Sequence, residues 1–249
     1  MSKRLSYFIR AEGLDPAAVK KGLGWLLEVA TDRGYLAVPG LRNLDGVIGD
    51  ALGKAAVIDM KSKGRTVLMG KEIHVVTKMK PLHDAGNAPI LAFYPYGRFL
   101  DVLDSVRNAS AILVVPWSMH EIDCWLKARN AKELGTKRSA EANAHGLSGV
   151  VETALRDLCE KLRPPSGIEL PADRDAAAQM FLILKEGGEA FAPDDIKAWL
   201  VSAGGWKATH AREVAELAQE VLSGRRVLSG SSAWPRGVLE VWRSRAGKR

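Results

Sequence analysis

Two uninterrupted apolar runs, Pro89–Tyr94 and Ala111–Pro116, bracket a segment, Arg98–Arg107, whose apolar positions recur at helical spacing. After the second run, Ser118–Arg129 returns to that spacing, and Ser118 with Glu121 three residues on predicts a capping box at its start. Runs without polar alternation suit strands covered on both faces, so strand, helix, strand and helix in succession predict a parallel unit inside an α/β domain. Upstream, Asp15-Pro16 supplies a capping carboxylate and then proline at the first helical position. Val19, Leu23, Leu26, Leu27 and Ala30 share a face from there to a stop at Gly34. Tyr35–Val38 reads as a short strand closed by Pro39-Gly40. A second helix is expected from Leu41, with Leu44, Ile48, Ala51 and Ala55 in line. Gly46, Gly49 and Gly53 each weaken it by roughly 1 kcal/mol relative to alanine. Arg65–Met69 and Glu72–Thr77 flank Gly70-Lys71 as a hairpin, and Lys80–Pro89 reads as a loop.

Past residue 132 the apolar period fades, which predicts a linker over 133–147. Helical patterning then resumes. Ser148–Leu162 aligns Val151, Leu155, Leu158 and Leu162 before Pro164-Pro165. Asp173 is expected to cap a helix whose inner face is Ala177, Met180, Phe181 and Leu184. Pro193 opens another, with Ile196, Trp199, Leu200 and Ala203 inside, and Thr209 a third, with Val214, Leu217, Ala218, Val221 and Leu222 inside. The pattern as a whole predicts an α/β (or α+β) N-terminal domain over 1–132, with a small, mostly parallel or mixed sheet. An all-α helical domain over 148–249 follows and ends in a basic tail.

Within the helical part, DRDAAAQMFLILKEGGEAFAPDDIKAWL, then GGW and AREVAELAQEVLSGRR, resembles a family of uncharacterised bacterial, chiefly actinobacterial, two-domain proteins. LAVPGLRNLDGVIGDALGKAAV and AILVVPWSMHEI look like the other half of that family. Glu72–Trp125 is more faintly similar to SseB-type α/β domains, which would imply interaction rather than catalysis. Neither resemblance carries functional residues across.

Composition narrows the field. No apolar run approaches the length of a membrane span, and the opening Met-Ser-Lys-Arg-Leu-Ser lacks the apolar core of a signal peptide. A cytosolic protein without a membrane partner is expected. Cys124 and Cys159 fall among apolar neighbours on predicted helices, which argues for free thiols. The histidines are scattered without metal-ligand spacing, so no metal is expected. The formal charge is +7, with basic residues gathered in Lys54–Lys80 and Arg225–Arg249. Trp199–Leu222 has the outline of a helix-turn-helix, but Glu213, Glu216 and Glu220 would face the phosphates. What remains for nucleic acid is a weak, sequence-independent surface formed by Lys207, Arg212, Arg225, Arg226, Arg243 and Arg245.

The carboxyl ends of the two apolar strands are the other candidate. Tyr96 and Arg98 follow the first, and Trp117 and Ser118 the second: rings that can stack, a cation and a helix start. Asp101, Asp104 and Glu121 lie close by, the carboxylates an enzyme acting on a nucleotide or nucleoside would need. No G-x-G-x-x-G, P-loop or G-x-S-x-G pattern is present, and no cofactor is expected. The balance favours a non-catalytic interaction or adaptor protein with a protein partner; Trp234 and Trp242 of the tail are candidate anchors for it, packing back onto the helical module being the equal alternative. The alternative is the nucleotide- or nucleoside-directed enzyme.

Overall fold

The computed structural model describes residues 4–136, 146–162, 167–225 and 233–247. They divide into two compact units, an N-terminal mixed α/β sheet and a C-terminal helical module.

In the first unit the strands are β1 (Leu5–Phe8), β2 (Arg33–Ala37), β3 (Arg65–Leu68), β4 (Lys71–Val76), β5 (Ile90–Phe93), β6 (Ala111–Val115) and β7 (Lys132–Glu133). They form one seven-stranded sheet in the order β3-β4-β2-β5-β6-β1-β7. Only β3 runs antiparallel to its neighbour. The helices are α1 (Pro16–Val29), α2 (Val47–Leu52), α3 (Lys54–Lys63), α4 (Arg98–Asp104) and α5 (Asp123–Arg129). On one face, α1, α2 and α3 pack with Leu36, Leu91, Phe93, Leu113 and Val115. On the other, α4 and α5 pack with Ile90, Ala92, Ile112 and Val114. Successive side chains of β5 and β6 thus enter opposite layers, which is why both strands are apolar throughout.

Local chemistry explains where elements stop. Asp15 caps α1, its Oδ1 accepting from the backbone of Ala17 and Ala18 at 2.9 Å. The far end of α1 is closed by Lys71, whose ammonium donates to the carbonyls of Leu27 and Ala30. Gly34 is therefore not the helix stop that spacing predicts. It lies in β2, where a β-carbon would stand 2.9 Å from Leu26 Cδ1. The single helix expected from Leu41 is broken in three: a 3-10 turn over Leu41–Leu44, then α2, then α3. The breaks fall at Gly46 (φ 67°) and Gly53 (φ 87°), left-handed positions that glycine adopts at little cost. The Ser118 capping box is absent too. Ser118 makes no side-chain cap; a 3-10 turn over Met119–Ile122 follows it, and the backbone N–H of Met119 bonds to Glu12 at 3.1 Å. The one strand the apolar pattern did not predict in the middle of the sheet is β1, which lies between β6 and β7.

The second unit contains α6 (Gly149–Lys161), α7 (Pro171–Glu186), α8 (Pro193–Ser202), α9 (Ala208–Leu222) and α10 (Val238–Ala246). Ser148 caps α6 through Val151 N at 3.3 Å. Asp173 does not cap α7, which begins at Pro171 and carries Asp173 in its first turn. Ala203 is exposed at the end of α8 rather than inside. The tail departs furthest from expectation, because its last part is the helix α10. Trp242 is fully buried and its indole N–H donates to Asp157 Oδ2 at 2.9 Å. Trp234 donates to the carbonyl of Ala176 at 2.7 Å, with the two rings edge to face at 5.4 Å. Trp242 thus belongs to the module's own core, and the half-buried Trp234 packs against it.

Candidate functional site

The connections of the sheet single out one place. From β2 the chain passes through α2 and α3 on one face to reach β4. From β5, the strand beside β2, it passes through α4 on the other face to reach β6. Neighbouring strands whose connections depart in opposite directions leave a crevice at their carboxyl ends, where open α/β sheets bind ligands. A cleft of about 390 Å3 lies there. Its volume is within the roughly 300–1,000 Å3 of small-molecule sites.

The cleft is assembled from four strand ends. After β2 come Pro39, Arg42, Asn43, Asp45, Val47 and Ile48; after β5, Tyr94 and Tyr96. After β6 come Trp117 and Glu121, and after β1, Leu14. The β1 and β6 ends are fastened together: Gly13 N donates to Trp117 O at 2.6 Å, beside the Met119–Glu12 bond. Asn43 Oδ1 accepts from Gly40 N at 3.0 Å, which fixes the amide and leaves its NH2 to donate. Asp45 is tied to Lys61 at 2.5 Å, whereas Arg42 and Glu121 have no ion-pair partner among the described residues. Tyr96 and Trp117 are about half exposed, 49% and 46%. Lys78 stands 3.5 Å from the centroid of the Tyr96 ring, in cation–π contact.

Tyr94 is unlike the other lining residues. It is 7% exposed, its φ is 52°, and its hydroxyl is buried without a hydrogen-bond partner among the described residues. Burial, with Asp15 adding to it, pushes its phenol above the usual range, so the hydroxyl stays protonated as a donor. The Trp117 ring meets it edge-on at 5.6 Å and 81°.

Of the residues expected from sequence, Tyr96, Trp117 and Glu121 line this cleft. Arg98, at the start of α4, is exposed and does not, and neither does the half-buried Ser118. Asp101 and Asp104 are each 3% exposed and lie in the core under α4 rather than at the mouth. Asp104 receives the Arg4 guanidinium and, at 2.9 Å, the Trp125 indole N–H. Sequence reasoning missed Tyr94, Leu14 and the whole wall from Pro39 to Ile48. Proline, glycine and polar side chains directly after a strand were the available signal for that wall. Among the described residues, no cluster of three or more His, Cys, Asp or Glu side chains is placed to hold a metal ion.

In the helical unit, α9 buries Val214, Leu217, Ala218 and Val221 and exposes Glu213 and Glu216, with Glu220 paired to Arg174 at 2.8 Å. Lys207 and Arg225 are exposed and Arg212 half-buried; Arg226 lies outside the described residues. Arg243 is held by Glu189 at 3.1 Å and Glu240 at 2.9 Å, and Arg245 by Asp157 at 2.9 Å. Two cations of the tail, Arg243 and Arg245, are thus matched locally by carboxylates. No helix among the described residues is long and apolar enough to cross a membrane.

Residues 147–243 match the model of a family described as a domain of unknown function, DUF1889. The segment Asp173–Arg226 quoted above falls inside the matched stretch. No curated protein matches the chain, and no solved structure does.

Proposed function

We propose that the N-terminal unit binds a small ligand carrying a planar, nucleobase-like ring in the cleft between the ends of β2 and β5. The observation that carries this reading is the cleft's position at the point where the sheet's connections diverge, together with its lining. Tyr96 and Trp117 offer half-exposed rings for stacking, and Leu14, Val47 and Ile48 supply apolar walls. Arg42, the Asn43 amide and Glu121 are left to meet polar edges of the ligand. The reading concerns recognition rather than bond cleavage, because Asp101 and Asp104 are committed to the core. An interaction or adaptor role draws no support from Trp234 and Trp242, which are packed internally.

Isothermal titration of the full chain with the common ribonucleosides and their 5′-monophosphates tests it. Saturable binding by at least one member is expected. Aromatic stacking on a base contributes about 1–3 kcal/mol, so Trp117→Ala should weaken that binding on the order of tenfold or more. A panel without any binder, or a Trp117→Ala chain that binds as tightly as the unaltered one, overturns the reading.

A further inference from the structure

A buried polar group is nearly always hydrogen-bonded, and one that is not calls for a physical reason. Tyr94 has such a group at the cleft: a buried phenol hydroxyl, with no partner among the described residues, on a side chain that lines the cavity. Its backbone adds an independent sign. A non-glycine aromatic at φ 52° sits in the sparsely populated left-handed region, a conformation that persists only where surrounding structure enforces it and that clusters at binding sites. The enforcement is visible. Tyr94 N donates to Val115 O at 2.8 Å, continuing the β5–β6 pairing and locking the residue at the sheet's edge. Phe93 packs at 6.0 Å on one side and Trp117 at 5.6 Å on another. The nearby Asp15 carboxylate caps α1 through Oδ1 and makes no hydrogen bond to the hydroxyl.

We infer that the Tyr94 hydroxyl is the specificity-determining donor of this cleft, giving its proton in a hydrogen bond to a carbonyl oxygen on the ligand's ring. The inference rests on the ligand-binding reading above and names the ligand feature that the site reads. The Trp117 ring, 46% exposed and edge-on to Tyr94, is placed to stack on that ligand. A site with a prepaid, otherwise unpaired donor rejects an analogue that lacks the acceptor.

The test uses two pairs of nucleosides that differ by one carbonyl. Inosine is set against purine riboside at ring position 6, and uridine against pyrimidin-2-one riboside at position 4. The full chain and its Tyr94→Phe variant are titrated with all four. The unaltered chain should favour the carbonyl-bearing member of at least one pair by about tenfold or more, as expected for a site built around a donor. Tyr94→Phe should erase that preference. Its melting temperature should hold or rise, because the deleted hydroxyl has no partner to lose. Binding without a carbonyl preference, or a preference that survives in Tyr94→Phe, overturns the inference and leaves the cleft reading standing. Failure of the unaltered chain to bind any of the four and any member of the wider panel overturns both.

Discussion

Asp104 shows how a single residue changes meaning between sequence and structure. Its spacing from Asp101 placed two carboxylates on one turn beside an apolar strand, the arrangement an acid–base site would show. The partners that decide its role are remote: Arg4 is 100 positions away in the chain, and Trp125 is 21. With the guanidinium and the indole N–H both directed at it, Asp104 is a buried ion pair joining β1, α4 and α5. Removing one member of such a pair strands the other charge, at a cost of about 3–5 kcal/mol. Asp104→Ala should lower the unfolding free energy of the N-terminal unit, read from urea denaturation, by an amount in that range, and a change under about 1 kcal/mol would contradict the assignment. Tyr94 illustrates the converse. A tyrosine ending an apolar run looks like core, and nothing in its neighbours announces a left-handed backbone or an unpaired hydroxyl.

At the scale of elements, legibility followed the number of buried positions. The strands β5 and β6 were plain because every residue in them is buried, and α1 because its cap and its apolar face agree. The helix α10 was unreadable for the opposite reason. It buries only Val238 and Trp242, one turn apart, and surrounds them with Arg243 and Arg245, so its sequence has the look of a solvated tail. Its stability comes from packing on α6, through Trp242 and the bonds of Trp242 and Arg245 to Asp157. Replacing a buried tryptophan by alanine costs about 3–5 kcal/mol. Trp242→Ala should therefore reduce the stability of the helical unit by that order in chemical denaturation, with loss of α10 protection in amide exchange. An effect within about 0.5 kcal/mol, the range of surface substitutions, would show that the helix is not docked. The two-residue β7, lysine and glutamate, carries no strand signal at all and exists because β1 offers it an edge.

Across the whole molecule, what the linear pattern lacks is strand order. The chain announces a sheet covered on both faces, but not that β2 ends beside β5 or that β1 fits between β6 and β7. Since the cleft is built from the ends of four strands, only those lining residues next to the two most apparent strands were foreseeable. The wall from Pro39 to Ile48 acquires its significance solely from adjacency in space. The charge of +7 is equally a whole-molecule quantity, and pairing within the units decides where the excess sits. Arg174, Arg243 and Arg245 each meet a carboxylate of their own unit, so the excess is carried by other cations, Lys207 and Arg225 among them.

The placement of β1 has a consequence for how the protein is made. Leu5–Phe8 is translated before the other strands, yet its partners Ala111–Val114 and Lys132–Glu133 follow more than a hundred codons later. At roughly 5–20 residues per second, this segment waits on the order of ten seconds without its mates. Nascent chains arrested before residue 111 has emerged should remain open to protease throughout the sheet region. Resistance should appear abruptly once residue 133 is free, and its appearance in earlier arrests would mean that the remaining strands close without their amino-terminal member.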